Sequence, residues 1–148
     1  MGSAKLKKIM ADDKAHLFQN YGDRMPVCFV RGEDSCLFDQ DNRKYIDFFS
    51  GIAVSSLGHR NRALSKALHR QVDSVLHTSN WYYNREQIEA AALLTAASFP
   101  GKTLFVNSGT EANEAAIKLA RRYGLSQGKN KYRIISFTNS FHGRTYGG

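Results

Sequence analysis

The sequence contains few of the residues that mark disulfide-rich, metal-binding or membrane-spanning chains. Its 148 residues include two cysteines and two prolines. Cys28 and Cys36 have no metal-site spacing, so we expect reduced packing residues of a cytoplasmic protein and no metal. No apolar run approaches the roughly 20 residues that a membrane helix needs. The N-terminal segment, residues 5–10, is short and precedes two aspartates, which argues against a secretory signal.

The familiar nucleotide-binding motifs are also absent. No G-x-G-x-x-G occurs, which excludes the dinucleotide fingerprint. Gly101, Lys102 and Thr103 resemble the end of a Walker loop, but Ala96 stands where that motif begins with glycine. The three residues also precede an apolar run instead of following one. A phosphate site in this chain therefore has to be of another kind.

A strand, a small polar turn and a helix follow one another in the second half of the chain. Residues 103–106 form an apolar run that predicts a buried strand, and the turn Ser108, Gly109, Thr110 follows shortly after it. Apolar residues then recur at helical spacing, with acidic residues in the first turn, basic residues in the last and Gly124 expected as the cap. Free N–H groups and two hydroxyls at a helix N-terminus suit an anion, so the turn predicts a phosphate site or an ordinary N-cap.

A second loop strengthens the prediction of a ligand site. Residues 134–137 form another apolar run, so strand, helix and strand predict a parallel βαβ unit whose two loops share one sheet edge. Ligands bind at that edge in open α/β sheets. The loop offers the ring of Phe141, the imidazole of His142 and the guanidinium of Arg144. Each residue alone fits a core or solvated position, but together they predict a flat phosphorylated cofactor and an acidic substrate.

The N-terminal half predicts a small antiparallel sheet and two helices. Strands are expected between residues 25 and 48, with a first turn at residues 31–34 and a second at Asp41 and Asn42. One helix with an apolar stripe should begin after Asn61, and an alanine-rich helix should cover residues 86–98. We expect residues 1–60 to form an N-terminal segment with the sheet. Residues 61–148 should then begin a larger α/β domain.

Two long motifs resemble the class III aminotransferases in sequence, order and spacing. They cover residues 107–121 and 140–145, and the similarity extends upstream through residues 45–54 and 77–80. The resemblance implies the aspartate-aminotransferase-like α/β fold (fold type I), a small antiparallel sheet before the first βαβ unit, a pyridoxal 5'-phosphate cofactor and a cytoplasmic homodimer. The subgroup that transfers the δ-amino group of N2-acetylornithine to 2-oxoglutarate, in arginine biosynthesis, is the most similar. Ornithine, 4-aminobutyrate and other ω-amino acid aminotransferases, and aminomutases of the class, are the alternatives.

The resemblance implies roles for particular cofactor-binding residues. Gly109 and Thr110 would hold the cofactor phosphate through backbone amides and the Thr110 hydroxyl, with Ser108 beside them. Phe141 would stack on the pyridine ring, and the neighbouring His142 is the best functional candidate among the histidines.

Three positions are similar to substrate-binding positions of the family. Arg144 would bind the α-carboxylate of the substrate, and Tyr21 could reach the same group. Ile52 stands where the ornithine aminotransferases carry a tyrosine that contacts substrate. An aliphatic residue at this position favours an acylated amine.

The family's catalytic groups lie beyond the residues of this chain. Chains of the family run well past 148 residues, and their Schiff-base lysine, the acid that pairs with the pyridine nitrogen and a distal arginine are in that further part. No lysine in the present sequence is placed to replace the first of these. We therefore expect the N-terminal portion of an enzyme, with no catalytic residue and no aminotransferase activity of its own.

The net charge of +8 suggests two further classes of protein. A non-catalytic module that binds nucleic acid could carry the basic cluster before and along one helix, which comprises Arg60, Arg62, Lys66, His69 and Arg70. The same cluster fits a solvated helix face, and no nucleic-acid motif accompanies it. We therefore expect no nucleic acid and no membrane among the partners. A short homologue that binds a full-length subunit without catalysis is the other possibility.

Overall fold

The computed structural model describes residues 3–128 and 131–148. The chain forms two compact units, of which the first ends at Ser79 and the second begins at Asn80. The domain boundary expected at residue 60 stays a prediction. Among the described residues, no helix combines the length and the apolar character that crossing a bilayer requires.

The first unit begins with helix α1, Ala4–His16. The Ser3 hydroxyl caps it by accepting a hydrogen bond from the Leu6 amide at 3.3 Å. Leu6 is the one buried hydrophobic residue of the described chain, with 2% of its surface exposed. No pattern in the sequence predicts a helix in this segment.

Three antiparallel strands follow, in the order β1–β2–β3: β1 Phe29–Glu33, β2 Cys36–Asp39 and β3 Lys44–Ile46. The small antiparallel sheet is therefore confirmed. The first turn was placed wrongly, because β1 continues to Glu33 and pairs there with Cys36. Asp34 takes a φ of 47° in the short connection, and β1 continues three residues further than expected.

A buried carboxylate holds the second turn. Asp39 accepts hydrogen bonds from the backbone amides of Asp41 and Arg43, each at 2.9 Å, and from the Tyr45 hydroxyl at 3.0 Å. The Arg43 guanidinium pairs with the same carboxylate at 2.7 Å. Burial raises the pKa of Asp39, but the hydrogen bonds from Arg43, Tyr45 and Asp41 outweigh it and hold the pKa below 3.8. Asn42 has the positive φ, 62°, that the sequence predicted.

After β3 the backbone makes a single turn of unusual hand, α2, over Ser50–Ala53. All four residues have positive φ, between 48° and 66°. The turn closes on itself through bonds from the Ile52 and Ala53 amides to the Phe49 carbonyl, at 2.9 and 3.1 Å. No feature of the sequence had indicated this conformation.

Two right-handed helices follow, α3 over Arg62–Val72 and α4 over Arg85–Ala97. Asn61 caps α3 as expected, because its side-chain oxygen accepts from the Leu64 amide at 3.0 Å. Asn84 caps α4 in the same manner, accepting from the Gln87 amide at 2.7 Å. Both helices are therefore confirmed, and the apolar stripe of α3 ends at Val72.

The long helix α5, Gly109–Ser126, forms where the sequence predicted it. Gly124 does not cap the helix but lies buried within it. Glycine is needed at this position because an added Cβ would overlap the Lys131 carbonyl oxygen. The strands expected at residues 103–106 and 134–137 carry no strand pairing. Within residues 3–128 and 131–148 the three-stranded sheet is the only one, and a strand requires a hydrogen-bonded neighbour.

Candidate functional site

The N-terminus of α5 presents unpaired backbone donors. The Ser108 hydroxyl accepts from the Glu111 amide at 3.3 Å, which is the N-cap bond. The Glu111 carboxylate reaches back to the Asn107 amide at 2.6 Å, and the Asn107 side chain holds the pKa of Glu111 below 4.5. Among the described residues, the amides of Gly109 and Thr110 have no acceptor. Two donors at the positive end of the helix therefore point to an anion.

Gly109 leaves room for a ligand at these donors. A Cβ built on Gly109 would meet no atom within 4 Å, so the first turn is open on that side. A phosphate group has several terminal oxygens and needs donors that are not already paired. The donor set and the open space together fit a phosphate ester at the N-terminus of α5.

The loop of residues 138–148 contacts the first turns of α5. The Thr110 and Thr145 hydroxyls lie 3.0 Å apart, and the Asn113 side-chain amide donates to the His142 carbonyl at 2.7 Å. The structure therefore brings the turn formed by Ser108, Gly109 and Thr110, here called the phosphate turn, into contact with the second loop, although no sheet pairing joins them in the described part of the chain. Asn113 had no assigned role, yet it follows Thr110 by three residues and so shares its helix face.

Gly143 makes the closest approach between the loop and the helix. Its φ is +124°, and a Cβ at this position would lie 2.5 Å from the Thr110 Cβ. A side chain could occupy that space only if the loop moved away from the helix. Glycine is therefore required both by the backbone angle and by the contact.

Glu114 fastens the far end of the loop. Its carboxylate accepts from the Thr145 hydroxyl at 2.6 Å and from the Gly147 amide at 2.8 Å. The bond from Thr145 is the main reason why the pKa of Glu114 lies below 4.5. Glu114 is one of the acidic residues expected in the first turn of the helix, and its spacing of four from Thr110 places it on the face that meets the loop.

The lowered pKa of Glu114 makes this contact dependent on pH. The folded pKa lies below the unfolded value near 4.5, so the contact stabilises fully above 4.5 and is lost as the pH falls through the lowered folded pKa. In a full-length enzyme that contains these residues, we expect the Gly147 amide resonance, followed by NMR after selective 15N labelling, to titrate with a midpoint below 4.5 and to stop titrating in Glu114→Gln. Glu86→Gln in α4 is the control. A midpoint at or above 4.5 would contradict the assignment.

Phe141 and Arg144 lie beside one another on the same loop. The Arg144 Cζ is 5.0 Å from the centre of the Phe141 ring, within the range of a cation–π contact. The Phe141 side chain is 72% exposed, so its ring is available to a flat ligand. The pair therefore sets a guanidinium, a group that can pair with carboxylates, beside an exposed aromatic ring.

A groove of about 640 Å³ lies between α5 and residues 134–136. Of the predicted site residues it contains His142 alone, and its other side chains are mostly apolar ones such as Ile117 and Ile134. The groove is therefore separate from the phosphate turn and from the Phe141 ring.

Two predicted substrate residues lie in the first unit, and each is described within it. Tyr21 is 66% exposed between α1 and β1, and Ile52 is 75% exposed in the left-handed turn. Near that turn lies a pair of titratable groups that no sequence motif indicates: His59 Nε2 and Asp47 Oδ2 are 2.7 Å apart. The His59 side chain is the main cause of the lowered pKa of Asp47.

Comparisons with known proteins agree on one family. The family described as Aminotransferase class-III matches residues 17–148. Acetylornithine aminotransferase of Aquifex aeolicus is 53% identical over 133 residues, covering 89% of this chain and 35% of that enzyme. The crystal structure of N-acetylornithine aminotransferase from Stenotrophomonas maltophilia K279a superposes with a TM-score of 0.76 and 40% identity, covering 84% of this chain and 35% of that one.

Ornithine aminotransferase of Toxoplasma gondii, with pyridoxal phosphate partially occupying its active site, superposes with a TM-score of 0.78 at 27% identity and covers 83% of this chain and 29% of that one. These likenesses confirm the expected fold class. The chain thus spans only about a third of the length of the relatives it matches. The family match across nearly all of the chain establishes that it belongs to the class III aminotransferases.

Proposed function

We propose that the protein containing these residues transfers the δ-amino group of N2-acetylornithine to 2-oxoglutarate, in arginine biosynthesis. The observation that carries the proposal is the contact between the N-terminus of α5 and the loop of residues 138–148. It joins the helix end that carries two unpaired amides to the loop that carries the Phe141 ring and the Arg144 guanidinium. The identity of 53% to an acetylornithine aminotransferase supports the choice of reaction within the class.

Pyridoxal phosphate is the cofactor in this proposal. When bound, it withdraws the electron pair that remains when a proton leaves the amino-bearing carbon. The Gly109 and Thr110 amides hold its phosphate, and Ser108, the N-cap residue of α5, lies beside them. Phe141 would stack on the pyridine ring, and His142 follows Phe141 in the same loop. These residues bind and orient, while proton transfer and the covalent link to lysine belong to the further part of the protein.

The substrate residues follow from charge and shape. Arg144 pairs with the α-carboxylate of the amine, because a guanidinium matches a carboxylate with two parallel hydrogen bonds. In 2-oxoglutarate the carboxylate at a comparable distance from the reacting carbon is the γ-carboxylate. Tyr21 reaches the α-carboxylate of the amine as well, and Ile52 contacts its acylated end. Ornithine, 4-aminobutyrate or another ω-amino acid is the alternative donor, and the exposed aliphatic Ile52 favours the acylated one.

The whole enzyme is proposed to act as a cytoplasmic homodimer. Residues 1–60 then form its N-terminal segment, and residues 61–148 begin its cofactor-binding domain. Many large apolar side chains in both parts are exposed, as a surface that receives further protein would require.

A hybrid enzyme tests the proposed reaction. In this hybrid, residues 17–148 replace the matching segment of the Aquifex aeolicus acetylornithine aminotransferase. We expect it to transfer the amino group of N2-acetylornithine to 2-oxoglutarate with a kcat/KM at least about tenfold above that for ornithine or 4-aminobutyrate, as a fitted apolar contact allows. The unmodified Aquifex enzyme is the control. A hybrid that folds and binds pyridoxal phosphate but prefers ornithine or 4-aminobutyrate would refute the proposed substrate.

A further inference from the structure

The left-handed turn α2 is the most unusual backbone of the described chain. Gly51 has φ 61° and ψ 34°, and Ile52 has φ 66° and ψ 54°. Ser50 and Ala53 also have positive φ, at 48° and 61°. L-residues other than glycine disfavour this region, and a β-branched residue does so most strongly. Three non-glycine residues therefore keep a conformation that they would not adopt by themselves.

The Asp47 carboxylate holds the beginning of this turn. Its Oδ1 atom accepts from the Phe49 amide at 3.0 Å and from the Ser50 amide at 2.8 Å. Its Oδ2 atom is 2.7 Å from Nε2 of His59. The Asp47 side chain is 7% exposed and that of His59 is 25% exposed, so both groups are shielded from competing water.

His59 is itself fixed against the small sheet. Its backbone exchanges two hydrogen bonds with Asp34, at 2.9 and 2.7 Å. Its ring lies against Gly32, where an added Cβ would come within 2.5 Å of the imidazole Cγ. The Asp47 amide donates to the Ser35 carbonyl at 2.8 Å. Both members of the pair are therefore anchored to the β1–β2 connection, and the turn is held from a rigid base.

The strained turn presents Ile52 outward, with its side chain 75% exposed. Residues kept in sparsely populated backbone regions cluster at ligand contacts, where the surrounding structure maintains them. An apolar side chain in a relaxed surface loop would have no need of this support. The free-energy cost of the left-handed conformation is thus explained if function requires Ile52 to be held in this position.

We infer that Asp47 and His59 are positioning residues for substrate selection, because they hold α2 in the left-handed conformation that presents Ile52 to the acyl group of the amine. This inference rests on the proposed function, which places Ile52 at the substrate. Neither residue touches the reacting atoms. They contribute to the difference in kcat/KM between N2-acetylornithine and ornithine as amino donors.

Substitutions of His59 in the hybrid enzyme test the inference. We expect His59→Ala to lower the ratio of kcat/KM for N2-acetylornithine over ornithine by about tenfold, mainly through KM for the acylated donor. His59→Gln, whose amide can still donate to Asp47, should restore most of the ratio. His69→Ala, an exposed histidine on α3, is the matched control. The δ1-methyl NMR resonance of Ile52, assigned with Ile52→Leu, should shift in His59→Ala and not in the control.

The outcomes separate this inference from the proposed function. An unchanged ratio in His59→Ala, or an equal loss of kcat/KM with both donors, would overturn it while leaving the proposed reaction in place. If the unsubstituted hybrid transfers no amino group, the proposed function fails, and the Ile52 methyl resonance decides whether the pair holds the turn. An unshifted Ile52 methyl resonance in His59→Ala would show that the Asp47–His59 pair does not hold the turn, and would overturn the inference as well.

Discussion

Purified by itself, the 148-residue chain is expected to bind the apolar dye ANS strongly and to unfold in urea without a sharp transition. Its accessible surface is 13655 Å² for a mass of 16.6 kDa. Two separate compact domains of half that mass would expose about 9,000 Å² in total. Apolar surface left in water contributes no hydrophobic stabilisation, and too little is buried here to offset the entropy of ordering the chain.

Urea titration followed by near-UV circular dichroism and ANS fluorescence measures this expectation. The hybrid enzyme, in which the same residues are joined to the rest of a relative, is the control and should bind little dye. A cooperative transition of the isolated chain, with a slope of about 1–3 kcal/mol/M in urea and no ANS binding, would contradict it. The same preparation also checks the expectation that the chain alone transfers no amino group.

Arg144→Lys in the hybrid enzyme is expected to lower kcat/KM about 100-fold for both N2-acetylornithine and 2-oxoglutarate. Lysine keeps the charge but loses the planar fork that pairs with a carboxylate through two parallel bonds. The contact of the guanidinium with the Phe141 ring, at 5.0 Å, also fixes its direction, which a flexible ammonium does not maintain. Both substrates carry a carboxylate several bonds from the reacting carbon, the α-carboxylate of the amine and the γ-carboxylate of 2-oxoglutarate, so both should be affected.

Steady-state kinetics with each substrate varied in turn measures the effect, and the affinity for pyridoxal phosphate should stay nearly unchanged. Arg122→Lys on the exposed surface of α5 is the matched control, because it makes the same exchange away from the loop. A loss confined to one substrate, or a loss of cofactor affinity of the same size, would show that Arg144 does not bind the remote carboxylate of both substrates.

Local sequence signals predicted much of this structure. The Asn61 cap, the positive φ of Asn42 and the start of α5 at Ser108 depend on side chains that act on neighbouring backbone groups, so a short window of sequence contains their cause. The meeting of the Thr110 turn with the loop at His142 was also expected from order along the chain, although the two strands on which that expectation rested carry no pairing in the described residues.

The features that escaped prediction depend on partners distant in the sequence. Gly124 was expected to cap α5, but glycine is required at this position because the backbone of Lys131 approaches it closely. The left-handed turn depends on Asp47 being held by His59, twelve residues away. No single-residue preference indicates Ile52 in that conformation, because its own preference is for the opposite one. Tertiary contacts override local propensity at both places.

The contact between Gly143 and Thr110 has a consequence for how this family of sequences can change. The gap between the phosphate end of the site and the support for the ring is set by the absence of one methyl group. A mutation that enlarges residue 143 therefore requires a displaced loop, because a smaller residue at position 110 would relieve the contact but not the backbone angle. Position 110 thus constrains position 143, although 32 residues lie between them in the chain.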